Sequence, residues 1–355
     1  MILHIFNKQI KFSVKYFEFL IDYNENLCRH KLFHYGKKNK FFNNLTDLDY
    51  KFCNSFYNPI PHIWLYKQMK QADEIIIHSL ASPYLIIMLL LNKKMRRKAY
   101  WVIWGKDLYI HRKAKKINIP YRIYDLIRKP VIRDIGYIIT SDDGDYNLAV
   151  QWYGATAIRE EMTKLAYPYS VDVIGGETDE NKPYMNILLG NSGSKTNRHL
   201  NALEILDKAD DGKMHIISPL SYGGSRFYIK KVIKKGKKLF GERFHPVTQF
   251  MAYNDYMNML NSIDIAFFFH DRQEAMNNTI SLIAKKKTVY IRNDVTSWNY
   301  ITDKGITVLN SLDISGKISA LPQKILDRNV RNLKNIWDPE FSYKQWKQIF
   351  DKEST

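Results

Sequence analysis

A chain of 355 residues is too long for one ordinary domain and divides most comfortably into two of about 150 to 180 each. Its 45% hydrophobic and 14% aromatic content is that of a globular protein and excludes a disordered one. A net charge of +18, from 54 Lys and Arg against 36 Asp and Glu, asks for a polyanionic neighbour: nucleic acid, an anionic membrane face or a phosphorylated substrate.

The opening MILHIFNKQIKFS has too little apolar length before Lys8 for a signal peptide and reads as a strand over Ile2 to Phe6. Short runs follow at Val14 to Leu20, Lys31 to Tyr35, Ile63 to Met69, Glu74 to Ile77, Leu85 to Leu91, Tyr100 to Trp104 and Tyr137 to Thr140. Their rhythm is strand, helix, strand. The longest apolar run, Tyr84 to Leu91, has eight residues against the roughly 20 that a membrane-spanning helix needs. Cys28 and Cys53 are the only cysteines, which argues against a disulfide framework and for the reducing cytoplasm.

Three strand-like runs end in polar residues: Ile75-Ile76-Ile77 in His78-Ser79, Trp101 to Trp104 in Gly105-Lys106-Asp107, and Ile138-Ile139 in Thr140-Ser141-Asp142. In open parallel sheets the ligand crevice lies at strand carboxyl ends. Cations crowd this half: Lys93, Lys94, Arg96, Arg97 and Lys98, then Lys113 to Lys116, with Arg122, Arg128, Lys129 and Arg133. An apolar patch rimmed by cations suits a peripheral protein on anionic lipid, each near-surface cation contributing about 1 kcal/mol. Nucleic-acid binding is the competing reading, but no helix-turn-helix, zinc finger or aromatic RNA-binding strand accompanies it. Two Asp-x-Asp stretches, Asp47-Leu48-Asp49 and Asp143-Gly144-Asp145 after Asp142, have the form that can hold a divalent metal, yet turn chemistry explains them equally well. No Cys/His cluster has zinc spacing, and no metal or cofactor is expected.

Around Tyr167 to Pro183 the periodicity stops, as in an interdomain linker. A second series then runs through Met185 to Gly190, a helix from Thr196, Met214 to Ser218, a helix over Phe227 to Lys238, Phe244 to Val247, a helix over Tyr253 to Asn261, Ile265 to Phe269, a helix over Asn278 to Ala284, and Thr288 to Ile291. This alternation predicts a second doubly wound α/β sheet. The closing FSYKQWKQIFDKEST is an amphipathic helix with Tyr343, Trp346 and Phe350 at spacings of three and four. The expected divisions are residues 1–180, 181–335 and a C-terminal helix over 336–355.

The stretch MNILLGNSGSKTNRHLNALEIL, residues 185–206, organises the second half. A buried strand breaks at Gly190-Asn191-Ser192-Gly193-Ser194, and Thr196 or Asn197 is placed to cap a helix carrying Leu200, Leu203 and Leu206. Free N–H groups at such a helix start, with serine hydroxyls beside them, suit a diphosphate. An ordinary βα turn ahead of a capped helix would have the same sequence. Tyr222-Gly223-Gly224-Ser225 follows the next strand and can touch a nucleotide or simply turn.

Two tandem α/β domains with a phosphate loop opening the second suggest the glycosyltransferase B (GT-B) architecture of two Rossmann-like domains. YWVIWGKDLY (Tyr100 to Tyr109), ILLGNSGSKTNRHLNAL (Ile187 to Leu203) and DRQEAMNNTISLIAKKKTVYIRN (Asp271 to Asn293) resemble, in order, the TDP-N-acetylfucosamine:lipid II N-acetylfucosaminyltransferase family (glycosyltransferase family 56). The resemblance implies transfer of a 4-amino-4,6-dideoxyhexose such as N-acetylfucosamine from a TDP-sugar to an undecaprenyl-diphosphate-linked oligosaccharide. It places the reaction at the cytoplasmic face of the inner membrane, in enterobacterial common antigen or O-antigen assembly. The same fold could take another sugar nucleotide. Donor contacts are expected from Gly190, Asn191, Ser192, Gly193, Ser194, Tyr222, Glu274, Asn277, Asn278 and Thr279. Where relatives carry glycines, this chain has Ala275 and Asn277. For the acceptor hydroxyl, Asp107 and His78 compete as general base, while a satisfied strand-end histidine is the plainer account of His78.

Overall fold

The computed structural model describes residues 1–7, 10–55, 58–115, 119–141, 143–162, 182–314, 316–336 and 339–352. The expected linker lies outside them up to residue 181, as do Lys8, Lys116 and Asp142. The chain forms two compact units, Met1–Ser170 with Trp337–Thr355, and Val171–Ile336.

The first unit carries seven parallel strands, β1 (Ile2–Asn7), β2 (His30–Tyr35), β3 (Asp49–Cys53), β4 (Glu74–His78), β5 (Ala99–Val102), β6 (Tyr137–Thr140) and β7 (Ile158–Glu161), in the order β3-β2-β1-β4-β5-β6-β7. Parallel neighbours require crossovers, which are supplied by α1 (Ile10–Asp22), α2 (Pro59–Gln71), α3 (Pro83–Leu91), α4 (Lys93–Arg97), α5 (Ile110–Lys115), α6 (Ile119–Arg133) and α7 (Asp143–Tyr153). Local signals set some of these starts: Asn58 accepts from the Ile60 N–H at 3.1 Å ahead of Pro59, and Asn92 accepts from the Met95 N–H at 3.1 Å. Strand alternation sends Leu3, Ile5, Ile75, Ile77 and Trp101 into one core, and Ile2, Phe6, Ile76, Tyr100 and Val102 into another on the opposite face.

In the second unit, β8 (Met185–Leu189), β9 (Met214–Pro219), β10 (Phe244–Val247), β11 (Ile265–Phe267), β12 (Thr288–Ile291) and β13 (Leu309–Asn310) are parallel in the order β10-β9-β8-β11-β12-β13. Their helices are α8 (His199–Ala209), α9 (Arg226–Phe240), α10 (Tyr253–Ser262), α11 (Met276–Ala284), α12 (Thr296–Thr302) and α13 (Gln323–Ile336). Strand order reverses between β8 and β11, so the loops after these two strands flank the switch point where such sheets bind ligands. Gly236 sits inside α9 because a Cβ there would stand 2.5 Å from the Phe244 ring.

The last helix, α14 (Pro339–Phe350), belongs to the first unit and closes its second core. Trp346 is buried edge-on against Tyr16 at 5.1 Å, and Arg29 grips the end of the helix by donating to the Phe350 carbonyl at 2.7 Å and to Asp351 at 2.8 Å. This helix is therefore part of a core, and truncating a tryptophan so buried costs about 3–5 kcal/mol.

Candidate functional site

At the switch point of the second unit three loops are tied together. The Gly193 N–H donates to the Tyr222 carbonyl at 2.7 Å, and a Cβ on Gly224 would stand 1.9 Å from the Gly193 carbonyl oxygen, so these backbones touch where only glycine fits. On the other side the Asp271 N–H donates to the Thr196 carbonyl at 3.1 Å. The Thr196 hydroxyl donates to Glu274 at 2.6 Å and meets the Ser194 hydroxyl at 2.7 Å, while Arg272 holds the other Glu274 oxygen at 3.1 Å. Ser194, Thr196, Glu274 and Arg272 thus form one polar row, all of them partly exposed.

The helix expected from Thr196 begins instead at His199. Asn197 is turned inward to accept the Asn191 N–H at 2.9 Å and to donate to Ser192 at 3.3 Å, and Arg198 takes a left-handed φ of 49° that no right-handed helix contains. The N–H groups of Gly190, Asn191 and Gly193 are taken up by the Phe267 carbonyl, the Asn197 side chain and the Tyr222 carbonyl, so these three are not the free donors expected of the loop. Gly190 has a φ of 69°, and a Cβ on it would press on Asn197 and His199.

The open helix start is that of α11. Its preceding residue, Ala275, has no side chain to cap it and takes a left-handed φ of 60°, which leaves the first-turn N–H groups as orphan donors at the positive end of a helix. Asn277 is exposed and Asn278 is half-buried, donating to the Tyr256 hydroxyl at 2.7 Å. Thr279 is buried, its N–H closing the first helical bond onto Ala275. Of the expected donor residues, Ser194, Tyr222, Glu274, Asn277 and Asn278 keep surface to offer, whereas Asn191, Ser192, Gly193 and Thr279 are buried and shape the loops. Sequence reading placed Thr196 in the phosphate loop but did not single out Arg272, nor the pairing of Thr196 with Glu274 or of Tyr256 with Asn278. Thr196–Glu274 and Tyr256–Asn278 are separated by 78 and 22 residues.

His199 and His270 stand behind these loops, buried, and burial pushes both down to about 4. They are neutral at pH 7 and add no charge to the site.

In the first unit Asp107 is 1% exposed and fully engaged. One carboxylate oxygen accepts from the Leu80 N–H at 3.0 Å and the Trp101 indole at 2.7 Å, and the other from the Trp104 N–H at 3.1 Å. These contacts make it the clasp of the IWGKDLY loop at the carboxyl end of β5. His78, at the end of β4, is also 1% exposed, stacked on Phe6 at 3.7 Å and edge-on to Tyr16 at 4.9 Å; burial lowers its pKa well below the usual histidine range. Neither residue reaches the surface in this structure.

Among the Lys93 to Lys98 cations, Arg96 donates to the Leu90 carbonyl at 2.9 Å and lies 3.7 Å from Asp134, and Lys98 donates to the carbonyls of Lys70 and Ala72. Lys93, Lys94 and Arg97 remain exposed. Of the Asp-x-Asp residues, Asp49 pairs with Lys31 at 2.8 Å, Asp143 with Arg159, and Asp145 accepts from the Tyr109 hydroxyl at 3.1 Å. Among the described residues no helix is long and apolar enough to cross a membrane.

The model of the family described as 4-alpha-L-fucosyltransferase, glycosyl transferase group 56, matches residues 4–354. Among solved structures, the fold is similar to a glycosyltransferase from Rickettsia africae (14% identity, 98% of this chain and 97% of that one, TM-score 0.67). It is similar as well to Anabaena Alr3699/HepE, solved with UDP (9% identity, 98% and 99% covered, TM-score 0.68). A third is WaaG, a glycosyltransferase involved in lipopolysaccharide biosynthesis (12% identity, 100% and 96% covered, TM-score 0.57). The two parallel sheets with their helices are those of the GT-B architecture.

Proposed function

The chain belongs to glycosyl transferase group 56 and is a glycosyltransferase, and from that premise we propose that it moves a 4-amino-4,6-dideoxyhexose, such as N-acetylfucosamine, from a TDP-sugar to an undecaprenyl-diphosphate-linked saccharide. The observation that carries the donor half of this reading is the uncapped start of α11, set beside Arg272 and the Thr196–Glu274 pair at a switch point of the second sheet. Orphan N–H groups and a guanidinium can hold a diphosphate and stabilise the negative charge it gains as the anomeric C–O bond breaks. Glu274, an acceptor beside those donors, suits a sugar hydroxyl or amino group.

The first unit takes the acceptor in this reading, at the carboxyl ends of β4 and β5, and works at the cytoplasmic face of the inner membrane, peripherally. Exposed Lys93, Lys94 and Arg97 favour an anionic lipid surface. The product is an enterobacterial common antigen or O-antigen intermediate.

A thermal-shift series on the purified chain tests the donor. A ligand bound by the native state alone at about 100 times its Kd stabilises by about 2.7 kcal/mol. TDP and TDP-sugars should raise the midpoint more than UDP- or GDP-sugars at equal concentration. A larger shift with UDP-sugars would replace the donor with another sugar nucleotide on the same fold.

A further inference from the structure

Beside the IWGKDLY loop, α5, α6 and α7 enclose an open cleft of about 460 Å³ that includes His111, Lys115, Arg122, Leu126, Lys129 and Trp152 in its lining. Its inner wall is built. Asp125 accepts from the Tyr153 hydroxyl at 2.6 Å and lies 2.8 Å from His111 Nδ1, and fully buried Arg128 stands 3.5 Å from the same carboxylate. Arg128 also donates to the Asp107 main-chain carbonyl at 2.8 Å, which joins this wall to the clasp at the end of β5. The Asp125 charge is thereby met from within, while Lys115, Arg122 and Lys129 have no ion pair among the described residues and give the cleft a net positive charge.

One edge of the cleft is apolar and uncovered. Ile119, Ile123, Leu126 and Ile127 fall on one face of α6 and are 66%, 56%, 71% and 38% exposed, with Arg122 and Lys129 a turn away on either side of Leu126. A stripe of four exposed aliphatic side chains, next to three cations that have no ion pair among the described residues, is complementary to an amphiphile with an apolar chain and an anionic head. Three cations exceed what the single charge of a phosphodiester needs and match a diphosphate.

We infer that this cleft binds a prenyl diphosphate, the diphosphate between Lys115, Arg122 and Lys129 and the first isoprene units along Ile119, Ile123 and Leu126. The inference rests on the proposed lipid-linked acceptor and assigns its anchor to residues of this chain. It would hold the saccharide end free to reach the Asp107 loop.

The test is a calorimetric titration of the full chain with farnesyl diphosphate, farnesol and inorganic diphosphate. It is repeated on Arg122→Gln/Lys129→Gln and on Leu126→Asn, all exposed positions whose thermal midpoints should stay unchanged. Farnesyl diphosphate should bind more tightly than either fragment. The double substitution should weaken it at least tenfold, and Leu126→Asn should weaken farnesyl diphosphate while leaving inorganic diphosphate unaltered. Equal farnesyl diphosphate affinity in the parent and the double variant would overturn the assignment. So would loss of that binding only in competition with phosphatidylglycerol vesicles that bind the parent equally well, which would make the surface a general anionic-membrane contact. Sugar transfer to a water-soluble acceptor without any farnesyl diphosphate binding would remove the cleft and leave the transferase. Farnesyl diphosphate binding without transfer from any TDP-sugar would do the reverse.

Discussion

His4 Nε2 stands 2.9 Å from His30 Nδ1 inside the first unit, and this contact is the middle of a buried row that crosses three strands. On one side His30 lies 3.5 Å from Glu25, which also accepts from the Tyr343 hydroxyl at 2.6 Å; on the other His4 lies 3.4 Å from His78. Tyr16, Phe17, Phe6, Trp346 and Phe350 pack around these rings, and Arg29 lies 3.8 Å from Glu25, with Lys347 and the N-terminal ammonium also acting on the row. Burial lowers the pKa of His4, His30 and His78, and takes that of His34, which has no hydrogen-bonding partner among the described residues, to about 4. Hydrogen bonding from His30 takes Glu25 down to about 2.

Acid should therefore loosen this protein before ordinary carboxylates titrate. The unfolded chain protonates these histidines near 6.5 and the native one excludes the proton, so stability is full above that pH and falls as pH drops through it. Each contributes a slope of up to about 1.4 kcal/mol per pH unit. The Glu25 contribution is present above its ordinary 4.5 and is lost between there and about 2. Denaturant midpoints at pH 7.5 and 5.5 should differ clearly, and His34→Phe should shrink the difference while stabilising by about 1–3 kcal/mol through removal of unsatisfied nitrogens. A flat profile across that range would contradict the burial of these rings.

Ala275 holds φ 60° and ψ 19°, a conformation that glycine adopts freely. The left-handed region costs an alanine about 1–2 kcal/mol, and glycine gives back about 0.4–1 through its freer unfolded chain. Ala275→Gly should therefore stabilise by about 0.5–1 kcal/mol, visible as a rise of a few degrees in thermal midpoint. A lower midpoint would mean that the alanine methyl packs more favourably than its backbone costs.

Much of this architecture is legible in the residues. Ile75 to Ile77, Ile138-Ile139 and Ile187 to Leu189 read as strands because each is a short apolar run bounded by turn chemistry, and the first and last of them, in β4 and β8, lie where strand order reverses in their sheets. Short polar edges are not legible: β7 reads IREE and is half exposed, and β13 has two residues. The helix α13 was legible in principle, since Leu326, Val330 and Leu333 are buried at spacings of four and three. The site's internal bonds are another matter. Thr196 meets Glu274 only because β8 pairs with β11, and a helix start at Thr196 is lost because the Asn197 side chain finds a better partner in the Asn191 N–H.

Gly224→Ala tests whether the loops must touch. The new methyl would stand 1.9 Å from the Gly193 carbonyl and force apart the Gly193–Tyr222 hydrogen bond. TDP affinity should fall at least tenfold, about 1.4 kcal/mol, with the fold kept, since the Gly224 loop itself is exposed. Unchanged affinity in calorimetry would take the Tyr222 loop out of the donor site.

Thr196→Val and Glu274→Gln should each lower kcat/KM, and the double substitution should cost less than their sum. The hydroxyl and carboxylate share a 2.6 Å bond, and directly bonded pairs couple by about 0.5–3 kcal/mol. Additive losses would show that the two residues act on substrate independently.

Asp107 offers the sharpest separation between a clasp and a base. Its three donors come from Leu80, Trp101 and Trp104, and an amide in its place presents N–H where one oxygen accepted, opposing a backbone or indole donor. Hydrogen bonds to a charged group contribute about 1.5–3 kcal/mol each, so Asp107→Asn should destabilise by about 2–4 kcal/mol. Molecules that remain folded should turn over within a few-fold of the parent at saturating acceptor. A general base replaced by an amide predicts the opposite pattern, an unchanged denaturant midpoint with kcat down by about 10² or more. Measuring both quantities on the same sample decides. A hundredfold loss of kcat without loss of stability would restore Asp107 as the base, and would require the loop from Ile103 to Leu108 to open far enough for a carboxylate now 1% exposed to meet the acceptor.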